Sequence, residues 1–273
     1  MSTRTRIDVE LSLQITAPGP VALSIATAGA IGEGEAERLE LVGSAADPRP
    51  RVVDFPHGTR VHWLDLAEGE LVIQYHAERE GRPAYSTEAA PVSDEDRILY
   101  TRPSRYCPSD RFGAIAYAEF GPLPGVRAKV DAIVRYVGER VNYVSGSSRF
   151  TDDATDTLLS GEGVCRDFAH LCVSLCRSMD IPARFVAVYA PGLSPMDFHA
   201  VFEAAIDGRW WLFDASRLAP RQSMIRIATG RDATDTAFLS TLGCELELRG
   251  TSVTAVAEPG LPEDDGSTLV ALA

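Results

Sequence analysis

Three residues in the second half of the chain have the types and the order of a nucleophile, its base and the group that orients the base. Cys165 supplies a thiol, His199 an imidazole and Asp214 a carboxylate. A thiol becomes a strong nucleophile when an imidazole takes its proton, and a carboxylate bonded to the other ring nitrogen fixes the tautomer of that imidazole. The three residues therefore predict covalent chemistry through a thiolate, if the fold brings them together.

Cys165 is predicted to stand at the first turn of a helix. Gly161 and Gly163 precede it, and an apolar stripe at three- and four-residue steps follows until Asp180-Ile181-Pro182 ends the pattern near Met179. The stripe consists of Phe168, Leu171, Cys172, Leu175, Cys176 and Met179. Free N–H groups at a helix start favour an anion, so the same place can hold a thiolate and a developing oxyanion.

His199 and Asp214 are predicted to lie on neighbouring strands. Residues 198–205 and 209–215 have strand composition, and Asp207-Gly208 between them is typical of a two-residue hairpin turn. The expected pairs are Ile206 with Arg209, Ala205 with Trp210, Glu203 with Leu212, Val201 with Asp214 and His199 with Ser216. This register makes His199 and Asp214 diagonal neighbours on one face, about 7–8 Å apart at the backbone.

His170 is a rival base, because it follows Cys165 by only five positions. Five helical steps turn it by about 140°, so we expect it to face solvent or to bond a neighbouring group such as the backbone. Cys172 and Cys176 can in principle bind a metal together with His170, but the sequence has no second ligand pair, and core packing is the favoured interpretation. Cys107 and Cys244 are isolated in the sequence.

The segments around these residues resemble the bacterial transglutaminase-like superfamily. The resemblance is carried by the runs Gly161–Leu171, Cys176-Arg177, Ile181–Arg184, Asp197–Ala200 and Trp211–Ala215. It covers roughly residues 100 to 245, and the preceding region resembles the β-rich domain that often precedes this core in bacterial members. The resemblance implies a papain- or transglutaminase-like core in which Cys165 is the nucleophile, His199 the base and Asp214 its orienter.

The resemblance implies a reaction type more strongly than a substrate. The superfamily spans protein crosslinking, peptide or isopeptide hydrolysis and members without known activity. We expect acyl transfer from a peptide, isopeptide or other amide bond through a thioester, with hydrolysis as the first expectation and no metal or organic cofactor. The alternatives are transfer to an amine, as in a protein-glutamine transglutaminase, and a non-catalytic binding module. Val201 stands where many relatives have tryptophan, and Asp214-Ala215-Ser216 replaces the commoner Asp-Pro-Thr, so the acyl-binding cleft should differ in shape.

Composition narrows the class of partner. The 273 residues are 45% apolar, enough for two domains, and the formal net charge is −13. This charge disfavours nucleic acid and anionic membranes and favours neutral or basic substrates, so a peptide or protein amide is the expected partner. No signal-peptide pattern or apolar run of about 20 residues is visible, and five cysteines without framework spacing predict a reducing cytoplasm.

The fold class expected from these patterns is α+β. Residues 1–100 alternate as strands, and we expect an antiparallel β domain without chemistry of its own, in which His57, His62 and His76 are ordinary surface or strand histidines. Residues 101–257 should form the catalytic domain, with a scaffold helix after Pro124 and the cysteine helix packed on the antiparallel sheet that carries His199 and Asp214. Residues 258–273 should form a flexible acidic tail.

Two loops are candidates for walls of the cleft. The polar residues 142–148 precede the cysteine segment, and either Asn142 or Tyr143 is a candidate donor to the oxyanion. The acidic loop Gly230–Asp235 follows the predicted hairpin, and we favour a solvated turn over a cleft-lining loop there.

Overall fold

The structure of the chain is a computed structural model that describes residues 3–46, 49–81 and 89–272. The fold is α+β, as the sequence predicted. The described residues form five α-helices, which are α1 (Asp94–Leu99), α2 (Gly113–Phe120), α3 (Gly125–Arg140), α4 (Ala154–Ser160) and α5 (Cys165–Arg177). The strands are β1 (Thr3–Ala17), β2 (Gly19–Leu23), β3 (Ala36–Val42), β4 (Arg51–Asp54), β5 (Arg60–Leu66), β6 (Gly69–Gly81), β7 (Asn142–Tyr143), β8 (Glu162–Gly163), β9 (Ala183–Tyr189), β10 (His199–Ile206), β11 (Arg209–Phe213), β12 (Ile225–Gly230), β13 (Leu239–Thr241) and β14 (Glu245–Glu258).

Two antiparallel four-stranded sheets form a β sandwich at the N-terminal side of the molecule. Their strand orders are β14-β1-β6-β3 and β13-β2-β5-β4. The apolar residues that alternate along β1 are buried in the sandwich core, where Ile7, Leu11 and Ile15 share one cluster with Leu64 and Ile73. Successive side chains of a strand point to opposite faces, so the alternation of β1 is sufficient to place one face inside.

The sandwich also takes in two strands from late in the chain. β14 pairs antiparallel with β1 along most of its length, and β13 pairs with β2. The sequence had assigned this segment to the catalytic unit of residues 101–257, and the structure corrects that assignment. Val253, Ala255 and Ala257 alternate on β14 and are buried against the sandwich, which is the physical reason for the pairing.

A third antiparallel sheet, with strand order β11-β10-β9-β12, carries the predicted hairpin, and α5 packs on it. On the other side of α5, the scaffold helix predicted after Pro124 is α3, whose Val130, Ile133 and Val137 are fully buried in the same core cluster. None of the helices formed by the described residues is long and apolar enough to cross a membrane.

The sandwich and this third sheet share a core. Tyr189 of β9 and Ile227 and Ala228 of β12 belong to the buried cluster of the sandwich. The Tyr189 hydroxyl donates to the carbonyl of Ile25 at 2.5 Å, and the N–H of Ala28 donates to the carbonyl of Arg226 at 2.8 Å. The two parts are therefore joined by apolar packing and by hydrogen bonds.

Buried charges cross the same junction. Glu203 of β10 is 1% exposed and accepts hydrogen bonds from Arg184 and Arg226. His57, from the loop before β5, accepts from Arg184 at 2.9 Å through Nδ1 and contacts Asp96 of α1 at 3.1 Å through Nε2. His57 is therefore not an ordinary surface histidine but a connection between the sandwich and the third sheet. His62 and His76 lie on β5 and β6 as expected.

The expected flexible tail is instead packed on the third sheet. Asp264 forms two parallel hydrogen bonds with Arg221, at 2.7 and 2.8 Å, and the carbonyl of Val270 accepts from the N–H of Leu212 at 2.8 Å. Val270 and Leu272 are buried. We call residues 259–272 the C-terminal segment. Its acidic residues predicted solvation, but the apolar residues at its end and the pairing of Asp264 fix it to the edge of β11.

Candidate active site

Cys165 is the first residue of α5, as the sequence predicted. The helix ends at Arg177, two residues before Met179, and Asp180 then takes a left-handed conformation with φ of 58°. The apolar stripe is buried against both α3 and the third sheet. Cys165 itself is partly exposed, so its thiol lies at the surface end of a helix that is otherwise enclosed.

Asp167 fixes the helix start that holds the thiol. One oxygen of its carboxylate accepts from the N–H of Val164 at 2.8 Å, and the other accepts from the hydroxyl of Ser148 at 2.9 Å. A side chain at the third helical position that reaches back to the N-cap N–H is half of a capping box. The loop before α4 and the start of α5 are thereby tied together next to Cys165.

The β10–β11 hairpin has the predicted register up to the pair of Phe202 with Phe213, where β11 ends, so the expected pairs of Val201 with Asp214 and of His199 with Ser216 lie beyond the strand pairing. Ile206 pairs with Arg209, Ala205 with Trp210 and Glu203 with Leu212. Asp207 and Gly208 form the turn with φ of 52° and 75°. Positive φ at both turn residues is the requirement of a type I′ turn, which an Asp-Gly pair meets at low cost.

This register brings His199 and Asp214 into contact. His199 Nε2 lies 2.9 Å from Asp214 Oδ2, and the two side chains are 1% and 3% exposed. The other carboxylate oxygen, Oδ1, accepts from the backbone N–H and the hydroxyl of Ser216 at 2.8 and 2.6 Å. Both oxygens of Asp214 therefore have hydrogen-bond partners, and these bonds hold the carboxylate in one orientation toward the imidazole.

The surroundings favour a charged imidazole. Burial by itself lowers the pKa of His199, but the hydrogen bond to Asp214 and the adjacent Cys165 thiol outweigh it and raise the pKa to about 10. Burial likewise raises the pKa of Asp214, and its bond to His199 brings the pKa below the usual value. Nδ1 of His199 is buried and has no hydrogen-bond partner among the described residues. It is therefore the ring nitrogen left for the thiol.

Tyr143 is the candidate oxyanion donor that the structure brings to the thiol. β7 runs parallel to β8, and Tyr143 pairs with Gly163, two residues before Cys165. Burial raises the pKa of the Tyr143 hydroxyl, and the neighbouring Cys165 raises it further. Asn142 precedes Tyr143 on the same strand, where the alternation of side chains directs it to the opposite face.

The acidic loop after β12 lines the site, contrary to the favoured interpretation of a solvated turn. Ala233 and Cys165 both pack against the buried cluster of Ala169, Phe185 and Ala200. The carboxylate of Asp232 is buried, and the residue as a whole is 1% exposed. Its oxygens accept from the N–H groups of Tyr106 and Thr234, so satisfied hydrogen bonds allow the loop to turn inward.

His170 holds this loop in place. Its Nε2 accepts from the N–H of Ala233 at 3.1 Å, and its ring stacks on Tyr106 with centroids 5.2 Å apart. Burial lowers the pKa of His170 to about 3, so the ring is neutral. The expected backbone hydrogen bond is present, but the alternative in which His170 faces solvent is wrong, because the residue is fully buried.

The remaining cysteines are structural in their surroundings. Cys107, Cys172 and Cys176 are fully buried in the core around α5, and Cys244 is buried in the sandwich. Burial raises the pKa of Cys107 and Cys176 to about 12. Among the described residues, no group of three His, Cys, Asp or Glu side chains is arranged to hold a metal ion.

Sequence patterns did not point to several residues that build the site. Ser216 had a recoverable signal, because Asp followed two positions later by Ser favours a local side-chain turn. Asp232 and Ala233 belong to the acidic loop that the sequence offered as the less favoured cleft wall, whereas Tyr106 had no signal, since it meets Asp232 and His170 only through contacts between distant segments.

Comparison with known proteins gives the family. The model of the transglutaminase-like superfamily matches residues 118–215, which include Cys165, His199 and Asp214. The crystal structure of a "putative cysteine protease" from Cytophaga hutchinsonii is similar with a TM-score of 0.85 and 31% sequence identity, over 100% of this chain and 98% of that chain. An uncharacterized protein of Mycobacterium leprae (strain TN) is 30% identical over 156 residues, or 53% of this chain, and the match spans about half (54%) of that protein's length. This chain therefore belongs to the transglutaminase-like superfamily.

Proposed function

We propose that this protein is a thiol-dependent hydrolase of peptide, isopeptide or other amide bonds, with Cys165, His199 and Asp214 as its catalytic triad. The proposal rests above all on one observation, the 2.9 Å contact between the buried side chains of His199 and Asp214 beside the thiol at the start of α5. The family relationship and the similarity to the Cytophaga hutchinsonii protein support the same chemistry.

The first half of the reaction forms a thioester. The sulfur of Cys165 attacks the carbonyl carbon of the amide, while the thiol proton is held by His199. His199 then gives this proton to the amide nitrogen, the C–N bond breaks, and the amine leaves. An imidazole whose pKa is raised to about 10 carries a proton at neutral pH, which suits it to act as this acid.

The second half of the reaction restores the enzyme. Water gives a proton to His199 as its oxygen attacks the thioester carbon, and the S–C bond breaks to release a carboxylic acid. Cys165 is partly exposed, so water can reach the thioester, and this accessibility is our reason to favour hydrolysis over transfer to an amine.

Each tetrahedral intermediate carries a negative oxygen that needs hydrogen-bond donors. The backbone N–H groups at the first turn of α5 and the Tyr143 hydroxyl are the candidates, because α5 begins at Cys165 and Tyr143 pairs with Gly163, two residues before it. Donors aimed at the developing charge are worth about 10²–10³ in rate where they have been removed in other enzymes.

The test separates hydrolysis, amine transfer and binding without turnover. A glutamine-containing peptide is incubated with the protein and a labelled primary amine, and free acid and amine-linked product are measured. We expect acid to form faster than the amine product, no product with Cys165→Ser, and a rate lower by about 10²–10⁴ with His199→Ala. Cys244→Ser, in the sandwich, is the matched control and should retain activity.

Two results would overturn the proposal in different ways. Faster amine incorporation than hydrolysis would make the protein an amine transferase. Alkylation of Cys165 by iodoacetamide at the rate of a free thiol, indifferent to His199→Ala, would make it a binding module with an unactivated cysteine.

A further inference from the structure

The acidic loop after β12 brings a small side chain to the nucleophile. Cys165 and Ala233 share a buried cluster, which consists of Ala169, Phe185 and Ala200. Ala169 lies one helical turn beyond Cys165, so these two side chains are on the same face of α5. Ala200 directly follows the base, His199, on β10. Ala233 therefore lies on one side of the space around the sulfur.

Ala233 is the member of this group that can limit the space for a substrate. Ala169, Phe185 and Ala200 are 3%, 2% and 8% exposed, so a bound molecule cannot reach them without displacing other atoms. Ala233 and Cys165 are both partly exposed. The size of the side chain at position 233 therefore sets how much room a group bonded to the sulfur has.

Hydrogen bonds on both sides of position 233 hold the tip of the loop. The carboxylate of Asp232 accepts from the N–H groups of Tyr106 and Thr234, at 3.0 and 2.9 Å. The guanidinium of Arg231 donates to both oxygens of Asp235, at 2.8 and 3.0 Å. Because these contacts fix the loop before and after its tip, the methyl group of the tip is a fixed wall of the site.

His170 sets the position of the loop relative to the helix of the nucleophile. It lies on α5, five residues after Cys165, and its Nε2 accepts from the N–H of Ala233 at 3.1 Å. The ring packs on Tyr106 and on Phe185, with centroids 5.2 and 4.9 Å away. The sulfur and the acceptor that holds the wall are therefore carried by the same helix.

The acyl group is the part of the substrate that has to fit beside this wall. In the thioester the acyl carbon is bonded to the sulfur of Cys165, and the amine has already left. A side chain on the next carbon of the acyl group then lies close to whatever surrounds the sulfur. One carbon atom more or less in a confined apolar space changes rates by about 10–200-fold, so a methyl wall discriminates by size.

We propose that Ala233 restricts the acyl group of the substrate to small residues, so that the amides cleaved are those that follow glycine, alanine or serine, and that His170 is a positioning residue for this size limit. The inference rests on the proposed function, because it assigns the substrate class of the same site. It concerns the residue at the attacked carbonyl and places no restriction on the amine that leaves.

The test compares acyl groups of graded size that share one leaving group. The protein reacts with the 4-nitrophenyl esters of N-acetylglycine, N-acetylalanine and N-acetylleucine, and the release of nitrophenolate in the first turnover is measured. Each rate is corrected for the background of Cys165→Ser and divided by the rate of the same ester with free cysteine. We expect the glycine ester to exceed the leucine ester by about tenfold or more in these relative rates.

Substitutions at position 233 should change this preference in opposite directions. Ala233→Gly enlarges the space and should bring the leucine ester closer to the glycine ester. Ala233→Val reduces the space and should lower the ratio of the alanine ester to the glycine ester about tenfold. Thr234→Leu is the matched control, because it adds bulk at the next position, which is exposed, and it should leave both ratios unaltered.

Variants of His170 test the positioning role through the ratios, since a loss of folded protein lowers all three rates equally. His170→Phe keeps a ring against Tyr106 and Phe185 but removes the acceptor for the N–H of Ala233, so the preference for small acyl groups should weaken. His170→Gln supplies an amide oxygen as an acceptor and should restore the preference in part. Unaltered ratios in His170→Phe would overturn the positioning role.

The outcomes distinguish this inference from the proposed function. Ratios that change equally in Ala233→Val and Thr234→Leu, or change in neither, would overturn the size limit and leave the proposed function standing. A wild-type protein that reacts with the glycine ester no faster than free cysteine does would contradict the proposed function, and the size limit would fall with it.

Discussion

The contact between His199 and Asp214 concentrates two charges in a site that is almost closed to water. An ion pair in such a place is stable only when its hydrogen bonds are satisfied, and here Ser216 completes the shell of the carboxylate. The raised pKa of His199 also has a consequence for the fold. Its contribution to stability is fully present below pH 6.5 and is lost as the pH rises through about 10.

The first residue-scale prediction concerns the pH dependence of the reaction. In Asp214→Asn, the negative charge that raises the pKa of His199 is gone, so this pKa should fall. The imidazolium that donates to the leaving amine is then lost at a lower pH. We expect kcat/KM to decrease roughly tenfold at neutral pH, since a charge-assisted hydrogen bond becomes a neutral one, and its alkaline limb to move to lower pH.

A pH series of kcat/KM and a titration of the His199 ring by NMR check this prediction. Ser216→Ala is a graded control, because it removes one of two bonds to Oδ1 and keeps the charge, so its alkaline limb should move less. An alkaline limb that stays in place in Asp214→Asn would show that Asp214 does not set the protonation of His199.

At the scale of elements, the site depends on the end of β11. Asp214 follows Phe213 directly, so any shift of β11 moves the carboxylate. The carbonyl of Leu212 accepts from Arg221, and Arg221 is in turn held by Asp264 of the C-terminal segment. The C-terminal segment therefore braces the strand end that carries Asp214.

The element-scale prediction is that Asp264→Asn weakens both the fold and the site. The substitution removes the charge from the pair with Arg221, whose side chain is 6% exposed, and we expect a loss of about 1.5–3 kcal/mol in the free energy of unfolding. Slower alkylation of Cys165 should accompany this loss. Urea unfolding and iodoacetamide kinetics are the measurements.

Asp265→Asn is the matched control for the neighbouring position. Among the residues that the structure describes, Asp265 bonds only to Ser267 and Thr268 of the C-terminal segment, and it is exposed, so its loss should affect unfolding and alkylation less. Equal effects of the two substitutions would mean that the C-terminal segment does not brace β11 through Arg221.

At the scale of the whole molecule, His57 connects the sandwich to the sheet that carries the site. It lies between Arg184 and Asp96, and Arg184 also stacks over Trp210 at 4.2 Å. Burial lowers the pKa of His57, and Arg184 lowers it further, while Asp96 acts in the opposite direction. His57 is therefore neutral in the folded protein and accepts the hydrogen bond from Arg184.

At the scale of the whole molecule, we predict that the protein loses stability below pH 6.5 because His57 becomes protonated. A folded pKa below the unfolded value of 6.5 means that the unfolded chain takes up the proton first, so acid should favour unfolding. We expect His57→Asn to flatten this part of the stability profile, by on the order of 1 kcal/mol for each unit of pKa difference. Asparagine tolerates the positive φ of 59° at this position.

The free energy of unfolding, measured with a chemical denaturant at several values between about pH 5 and about pH 7.5, checks this prediction. This range spans the unperturbed pKa of histidine. His76→Asn, at a partly exposed position of the sandwich, controls for the loss of an imidazole. If the free energy of unfolding changes with pH equally in His57→Asn and in the wild type, His57 does not cause the loss of stability in acid.

The local parts of the site follow from the amino-acid sequence alone. The stripe after Cys165 is sufficient for a buried helix, and Asp207-Gly208 is sufficient for a two-residue turn whose even length puts His199 and Asp214 on one face. These features depend on residues close in sequence, so the periodicities of helix and strand express them directly.

The distant segments that meet around the thiol were identified from the folded structure and not from the sequence. The pairing of β14 with β1, the inward turn of Asp232 and Ala233, and the bracing of β11 by Asp264 join residues far apart in the chain. The charge and polarity of the acidic loop and of the C-terminal segment predict exposure when each is considered alone. Each becomes buried because a partner elsewhere satisfies its hydrogen bonds or covers its apolar face, and that information is not present in any one segment.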